Sequence, residues 1–145
     1  MGAQSVLIVD DDPAVRDTLR IFLTDEGYPF LEATDGIECM DALLLASERL
    51  IVLLDLMMPR MTGFDVLSWV ASDDELSQRH AYVVMTANVD VMRRADPHLT
   101  TWMQCLNIPV LAKPCDIDTI LDVVAQTANR LRAEVVDAVL VTRMM

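Results

Sequence analysis

Short apolar runs recur along the chain at Val6-Leu7-Ile8-Val9, Leu50-Ile51-Val52-Leu53-Leu54, Ala81-Tyr82-Val83-Val84-Met85 and Ile108-Pro109-Val110-Leu111-Ala112. Each has the length of a buried strand and is separated from the next by a longer amphipathic stretch. Residues 4–9 are read as the first strand, Tyr28 to Ala33 as a weaker second, and 50–54, 81–85 and 108–112 as the third to fifth. Connections too long for hairpins imply right-handed crossovers, and therefore a parallel sheet with helices on both faces.

Local signals place the helices. Asp12 followed by Pro13 is an N-cap and a first-turn proline, and Gly27 supplies the left-handed position that ends a helix running to about Glu26. Asp35-Gly36 turns into a helix over about 37–47, carrying Met40, Leu43 and Leu44 at helical spacing. After the Pro- and Gly-punctuated loop 56–63 comes a helix bearing Phe64, Val66, Leu67 and Val70. Between Asn88 and Asn107 a short helix, an interruption at Pro97 and a second turn are expected. Asp116 begins the last helix, where Ile117, Leu121, Val124, Ala128, Leu131, Val135 and Ala138 form a heptad seam. Its first half would pack on the sheet. The reading is a doubly wound α/β domain with strand order 2-1-3-4-5, occupying residues 1–132, with 133–145 as a helical extension or linker remnant. The last helix is expected to continue past Leu131 and to help form a homodimer.

Composition narrows the partners. The 145-residue chain carries 23 acidic against 11 basic residues, a net charge of −12 that disfavours direct binding to nucleic acid or to an anionic membrane. Cys39, Cys105 and Cys115 lack paired spacing, so neither a disulfide framework nor a zinc site is suggested. The N-terminus lacks the pattern of a secretory signal, and no apolar segment reaches the roughly 18 residues of a membrane helix. A cytoplasmic, soluble protein is expected. The ten methionines are expected to fill core gaps, Trp69 and Trp102 to be partly buried, and the lone His80 and His98 to serve packing or lie at the surface.

The chemistry lies at the strand ends. Asp10 and Asp11, Asp55, Thr86, and Lys113-Pro114 follow or close four different runs, and the crevice of an open α/β sheet lies outside the carboxyl ends of its strands. Three carboxylates held together repel unless a cation intervenes. Magnesium, held by one or two carboxylates with phosphate oxygens and waters, suits such a cup. A carboxylate beside it can act as nucleophile toward a phosphoryl group, with Lys113 as a fixed cation and Thr86 as a hydroxyl donor. Pro13 marks Asp12 as a cap rather than a member of the cluster.

Leu7-Ile8-Val9-Asp10-Asp11, Asp55 with Met58-Pro59 and Gly63, Thr86-Ala87 and Lys113-Pro114 together resemble the receiver domain of two-component response regulators, over about residues 4–131. The resemblance implies a flavodoxin-like fold and a phospho-accepting switch. Asp55 would receive a phosphoryl group from a histidine kinase or phosphotransfer protein. Asp10, Asp11, Asp55 and the Met57 carbonyl would surround Mg2+, while Thr86 and Lys113 contact phosphoryl oxygens. A cis Lys113-Pro114 bond that aims Lys113 inward is implied too. No activity is expected beyond self-phosphorylation and self-dephosphorylation, and no small-molecule substrate beyond phosphodonors.

Three features depart from the resemblance. Val110 stands where many receivers carry an aromatic residue, the Gly-Ala pair common before the fifth strand is absent, and the segment from Thr86 to Lys113 is longer than the resemblance implies. Output through different contacts or a different dimer is expected. By the resemblance, Met57 and Asn88 lie where family members tune water access to the acyl phosphate, and a bulky Met57 is expected to slow hydrolysis. Two alternatives stay open: a magnesium-dependent phosphohydrolase using Asp55, against which Met57 supplies no second carboxylate, and a receiver-like scaffold that is never phosphorylated.

Overall fold

The computed structural model describes residues 4–144 apart from 89, 91, 93 and 95. Five parallel strands, β1 (Ser5–Val9), β2 (Phe30–Ala33), β3 (Leu50–Asp55), β4 (Ala81–Thr86) and β5 (Val110–Ala112), form one sheet in the order β2-β1-β3-β4-β5. Among the described residues the continuous helices are α1 (Pro13–Asp25), α2 (Gly36–Leu45), α3 (Gly63–Ala71), α4 (Asp74–Arg79), α5 (Pro97–Cys105) and α6 (Ile117–Met144).

Side-chain alternation along the strands divides the core in two. Val6, Ile8, Ile51, Leu53, Val83 and Met85 face α1 and α6, meeting Leu19, Leu23, Ile120, Val124, Ala128 and Leu131. Leu7, Val9, Val52, Leu54, Tyr82 and Val84 face the other side, against apolar residues of α2, α3, α4 and α5. Burial on both faces is why β1, β3 and β4 read as continuous apolar runs. Each fully buried Leu or Val contributes roughly 1.5–3 kcal/mol of transfer free energy.

The caps follow the sequence signals. Asp12 accepts the backbone N–H of Ala14, and Gly27 takes φ +83° after α1. Thr62 and Asp65 form a reciprocal capping box at the start of α3. As expected, the chain is broken before Pro97: Asp90 and Met92 are helical, Arg94 lies in a turn, and Pro97 opens the nine-residue α5 behind the N-cap Asp96, where its missing N–H costs nothing; the rest of the expected short helix lies outside the described residues. The six-residue α4 lay outside the sequence reading. It buries only Leu76, too little for a helical period to register, although its Asp73 cap, acidic first turn and Arg79 are start and stop signals.

The lone His80 proves to be a packing residue. It is buried just before β4, where Nδ1 accepts the Leu50 N–H at 3.0 Å and Nε2 lies 3.4 Å from the Leu43 carbonyl oxygen. Burial is the main cause that pushes its pKa down to about 4; the Leu43 carbonyl opposes the shift, and Arg79 and Arg49 add to it. Between pH 6.5 and 4 the unfolded chain binds a proton on His80 that the folded chain refuses. Stability therefore falls as pH drops through that window, by roughly 3 kcal/mol from this group. His80→Asn, which keeps an acceptor near the Nδ1 position and does not titrate, should flatten urea-measured stability over the same window. An unchanged slope would contradict this account of His80.

Candidate functional site

The parallel strands all point their carboxyl ends at one edge of the sheet, and the polar side chains gather there. Asp10 follows β1, Asp55 closes β3, Thr86 closes β4 and Lys113 follows β5. In the ladder Asp55 lies beside Met85, and Thr86 beside Ala112. The Lys113 backbone N–H donates to the Thr86 carbonyl at 2.7 Å, tying the two strand ends together. The Lys113-Pro114 peptide bond is cis.

Carboxylate oxygens of Asp10, Asp11 and Asp55 all lie within 4.8 Å of one another. Asp10 and Asp55 are buried, at 3% and 6% exposure, while Asp11 is exposed. Lys113 reaches into this group: Nζ is 2.5 Å from Asp10 Oδ2 and 3.6 Å from Asp55 Oδ2. Asp10 has further anchors. Its Oδ1 accepts the Asp12 N–H at 2.9 Å, and its carbonyl oxygen accepts Arg16 Nη1 at 2.7 Å.

Asp55 Oδ1 accepts the Met57 backbone N–H at 3.2 Å. Its pKa is nonetheless raised above the ordinary carboxylate value. Burial is the largest cause; the Met57 N–H and Lys113 pull it down, and the charges of Asp10 and Asp11 push it up again. One ammonium against three carboxylates leaves net negative charge in a poorly solvated place. Hard oxygen donors with an excess of charge fit a divalent cation, and Mg2+ in particular, which is commonly held by few carboxylates.

The remaining sequence candidates sit as follows. Thr86 is fully buried, and its hydroxyl donates to the Asn88 carbonyl at 3.2 Å and accepts the Asn88 N–H at 3.1 Å. The Met57 side chain is 55% exposed, beside the acidic cup. Val110 lies on the edge strand β5 with 38% exposure.

Two supports of the β3–α3 loop depend on contacts the sequence did not show, although Gly63 itself belongs to the motif quoted above. Gly63 donates its N–H to the Leu56 carbonyl, and a Cβ there would fall 2.3 Å from the Asp55 carbonyl oxygen and 2.7 Å from Leu56 Cα. Only glycine lets α3 begin so close to Asp55. Arg60, held at φ +61°, pairs with the buried Asp35, whose Oδ1 also caps α2 through the Glu38 N–H. The Gly36 N–H donates to the Met61 carbonyl, so the loop beside Asp55 is fastened to the start of α2. Asp35-Gly36 signalled a turn, but its pairing across 25 residues had no local signature.

Comparison with known proteins follows the same pattern. The family described as response regulator receiver domain matches residues 6–125. Response regulator RR06 of Streptococcus pneumoniae is 35% identical over 105 residues, covering 66% of this chain and 45% of that protein. Response regulator MprA of Mycobacterium avium is 42% identical over 91 residues, covering 61% and 37%. The chain thus spans less than half the length of these curated relatives. Among solved structures, a CheY-like receiver domain protein from Methanospirillum hungatei superposes with TM-score 0.74 at 29% identity, covering 90% of this chain and 98% of that one. The Thermotoga maritima response regulator TrrA, solved in complex with Mg(2+)-BeF, shares the fold with TM-score 0.69 at 22% identity, covering 86% and 98%. With its strand order, its acidic edge and a family match over most of its length, the chain belongs to the response regulator receiver domain family, the phospho-accepting switches of two-component signalling.

Proposed function

We propose that Asp55 is the phospho-acceptor of this chain, and that the donor is the phosphohistidine of a histidine kinase or phosphotransfer protein. The observation that carries this reading is the convergence of Asp10, Asp11, Asp55 and Lys113 within a few ångströms at the carboxyl edge of the sheet. An Asp55 carboxylate oxygen attacks the phosphorus; the P–N bond to the donor imidazole breaks as the new P–O bond forms, and the bonding pair leaves with the imidazole nitrogen. Positioning and charge stabilisation supply most of the catalysis in such a transfer.

The Met57 N–H orients Asp55 from one side, leaving Oδ2 on the Lys113 side. Lys113, freed in part from Asp10, stabilises charge on the transferred group. Thr86 gives up its Asn88 contacts to donate its hydroxyl to a phosphoryl oxygen, and its displacement links the acceptor to the α5–β5 side of the fold. Asp10, Asp11, Asp55 and the Met57 carbonyl would hold Mg2+, which when bound neutralises charge on the acceptor and the transferred oxygens. Self-phosphorylation and self-dephosphorylation are then the whole of the chemistry, and a changed protein-binding surface is its product. No described helix is long and apolar enough to cross a membrane, in keeping with a cytoplasmic site of action.

Beryllofluoride with Mg2+ should shift the amide resonances of the Asp55, Thr86 and Lys113 segments, and Asp55→Asn should abolish both the shift and labelling by acetyl phosphate. Labelling that survives Asp55→Asn would overturn the assignment, and sustained turnover of small phosphate esters beyond one equivalent would favour a hydrolase. Half-exposed Met57 shields the acyl phosphate from water, so Met57→Asn should shorten the phosphoprotein lifetime several-fold. An unchanged lifetime in a dephosphorylation time course would remove that role from Met57.

A further inference from the structure

Most of the described methionines serve packing. Met40, Met58, Met92 and Met103 are buried in one core and Met85 in the other, and Met61 lies partly buried against the first. Among the described residues Met57 and Met144 are the exposed methionines. Met144 belongs to the end of α6 remote from the acidic edge, whereas Met57 stands beside the acceptor: only Leu56 separates it from Asp55, and its N–H donates to Asp55 Oδ1 at 3.2 Å. Its side chain belongs to neither core. The loop around it is fastened through Gly63, Arg60 and the Met61 carbonyl instead, so the fold does not depend on the Met57 side chain being apolar.

We propose that Met57 is a site of reversible oxidation by a peroxide, and that its sulfoxide shortens the life of the phosphorylated chain. The proposal rests on Asp55 being the phospho-acceptor. Oxidation of a thioether turns a flexible apolar side chain into a polar one, and methionine sulfoxide reductases reverse it. The Met57 sulfur lone pair attacks one peroxide oxygen and the O–O bond breaks. The hydroxide that departs takes the proton of the transferred hydroxyl, leaving water and a neutral sulfoxide. Sulfur loses two electrons and peroxide gains them. A peroxide has to reach the sulfur, so Met57 and Met144 react ahead of the packed methionines.

The consequence for the acyl phosphate follows from what each form does to water. A thioether sulfur is a weak acceptor, so the unmodified side chain presents an apolar surface at the mouth of the cup. The sulfoxide oxygen is a strong acceptor and holds water there, on the open side from which water has to approach phosphorus. The water oxygen bonds phosphorus, the P–O bond to Asp55 breaks, and inorganic phosphate leaves the Asp55 carboxylate behind. Oxidation adds no charge to the cluster of Asp10, Asp11, Asp55 and Lys113, and the Met57 backbone N–H on Asp55 is not part of the reaction. The change therefore falls on water access and leaves the acceptor chemistry in place.

The test uses a Cys105→Ser, Cys115→Ser background; the remaining Cys39 is buried, and burial pushes its thiol up to about 12, which keeps it from reacting as a thiolate. The chain is treated with hydrogen peroxide, freed of it, mapped by peptide mass spectrometry and phosphorylated with acetyl phosphate. Sulfoxide should appear first at Met57 and Met144, and the phosphoprotein lifetime should fall several-fold, recovering after treatment with methionine sulfoxide reductases A and B. In Met57→Leu, compared with its own untreated form, peroxide should leave the lifetime unchanged although Met144 is still oxidised. Met57→Gln places an amide oxygen where the sulfoxide oxygen would be, and should give the short lifetime with no peroxide. An unchanged or longer lifetime with Met57 oxidised, an equal shortening in Met57→Leu, a Met57→Gln lifetime no shorter than that of Met57→Leu, or oxidation of the buried methionines before Met57 would each overturn the proposal. Failure of the underlying reading shows elsewhere, as labelling of the untreated chain that is absent or survives Asp55→Asn.

Discussion

Negative charge crowded at one edge of the sheet is the constraint on which the rest of the structure depends. A parallel arrangement forces the ends of β1, β3 and β4 to the same side, so Asp10, Asp11 and Asp55 share a space less than 5 Å across. Burial of two of them makes their repulsion costly. Lys113 offsets part of it, and the fold holds Lys113 there through the Thr86 carbonyl and the turn after β5. What remains is a site short of positive charge, with Asp55 holding its proton more tightly than an ordinary carboxylate. A cation and a phosphoryl group relieve opposite sides of that imbalance: the first supplies charge, and the second uses the charge so supplied.

Much of this was legible in the sequence because both signals are local. Runs such as Leu50 to Leu54 are apolar throughout because both faces are buried, and the polar residue that ends each run marks the sheet edge. Asp12 was separable from its neighbours because Pro13 follows it directly, and it does cap α1. The heptad in α6 was legible for the same reason, and the helix does extend past Leu131.

What escaped the sequence was either short or long-range. Helix α4 buries one leucine, too little for a helical period to register. The Arg60–Asp35 pair and the close approach of Gly63 to Asp55 join segments that no periodicity relates. His80 looked like an isolated polar residue, yet it completes the hydrogen bonding at the start of β3 as a backbone carbonyl would. These are the features that hold the loop beside Asp55 and the base of the sheet in place, and only the folded chain places their partners together.

The two ends of the sheet differ: its carboxyl edge gathers the acidic side chains and Lys113, and its base opens into a mainly polar cavity. The central claim concerns the first, that Asp55 alone takes the phosphoryl group. Its most direct measurement is to phosphorylate the wild-type chain, reduce the acyl phosphate with borohydride, and locate the resulting homoserine by peptide mass spectrometry. The account predicts homoserine at position 55 and at no other acidic residue. Homoserine at position 10 or 11, or none in a chain that has demonstrably taken up phosphate, would contradict it.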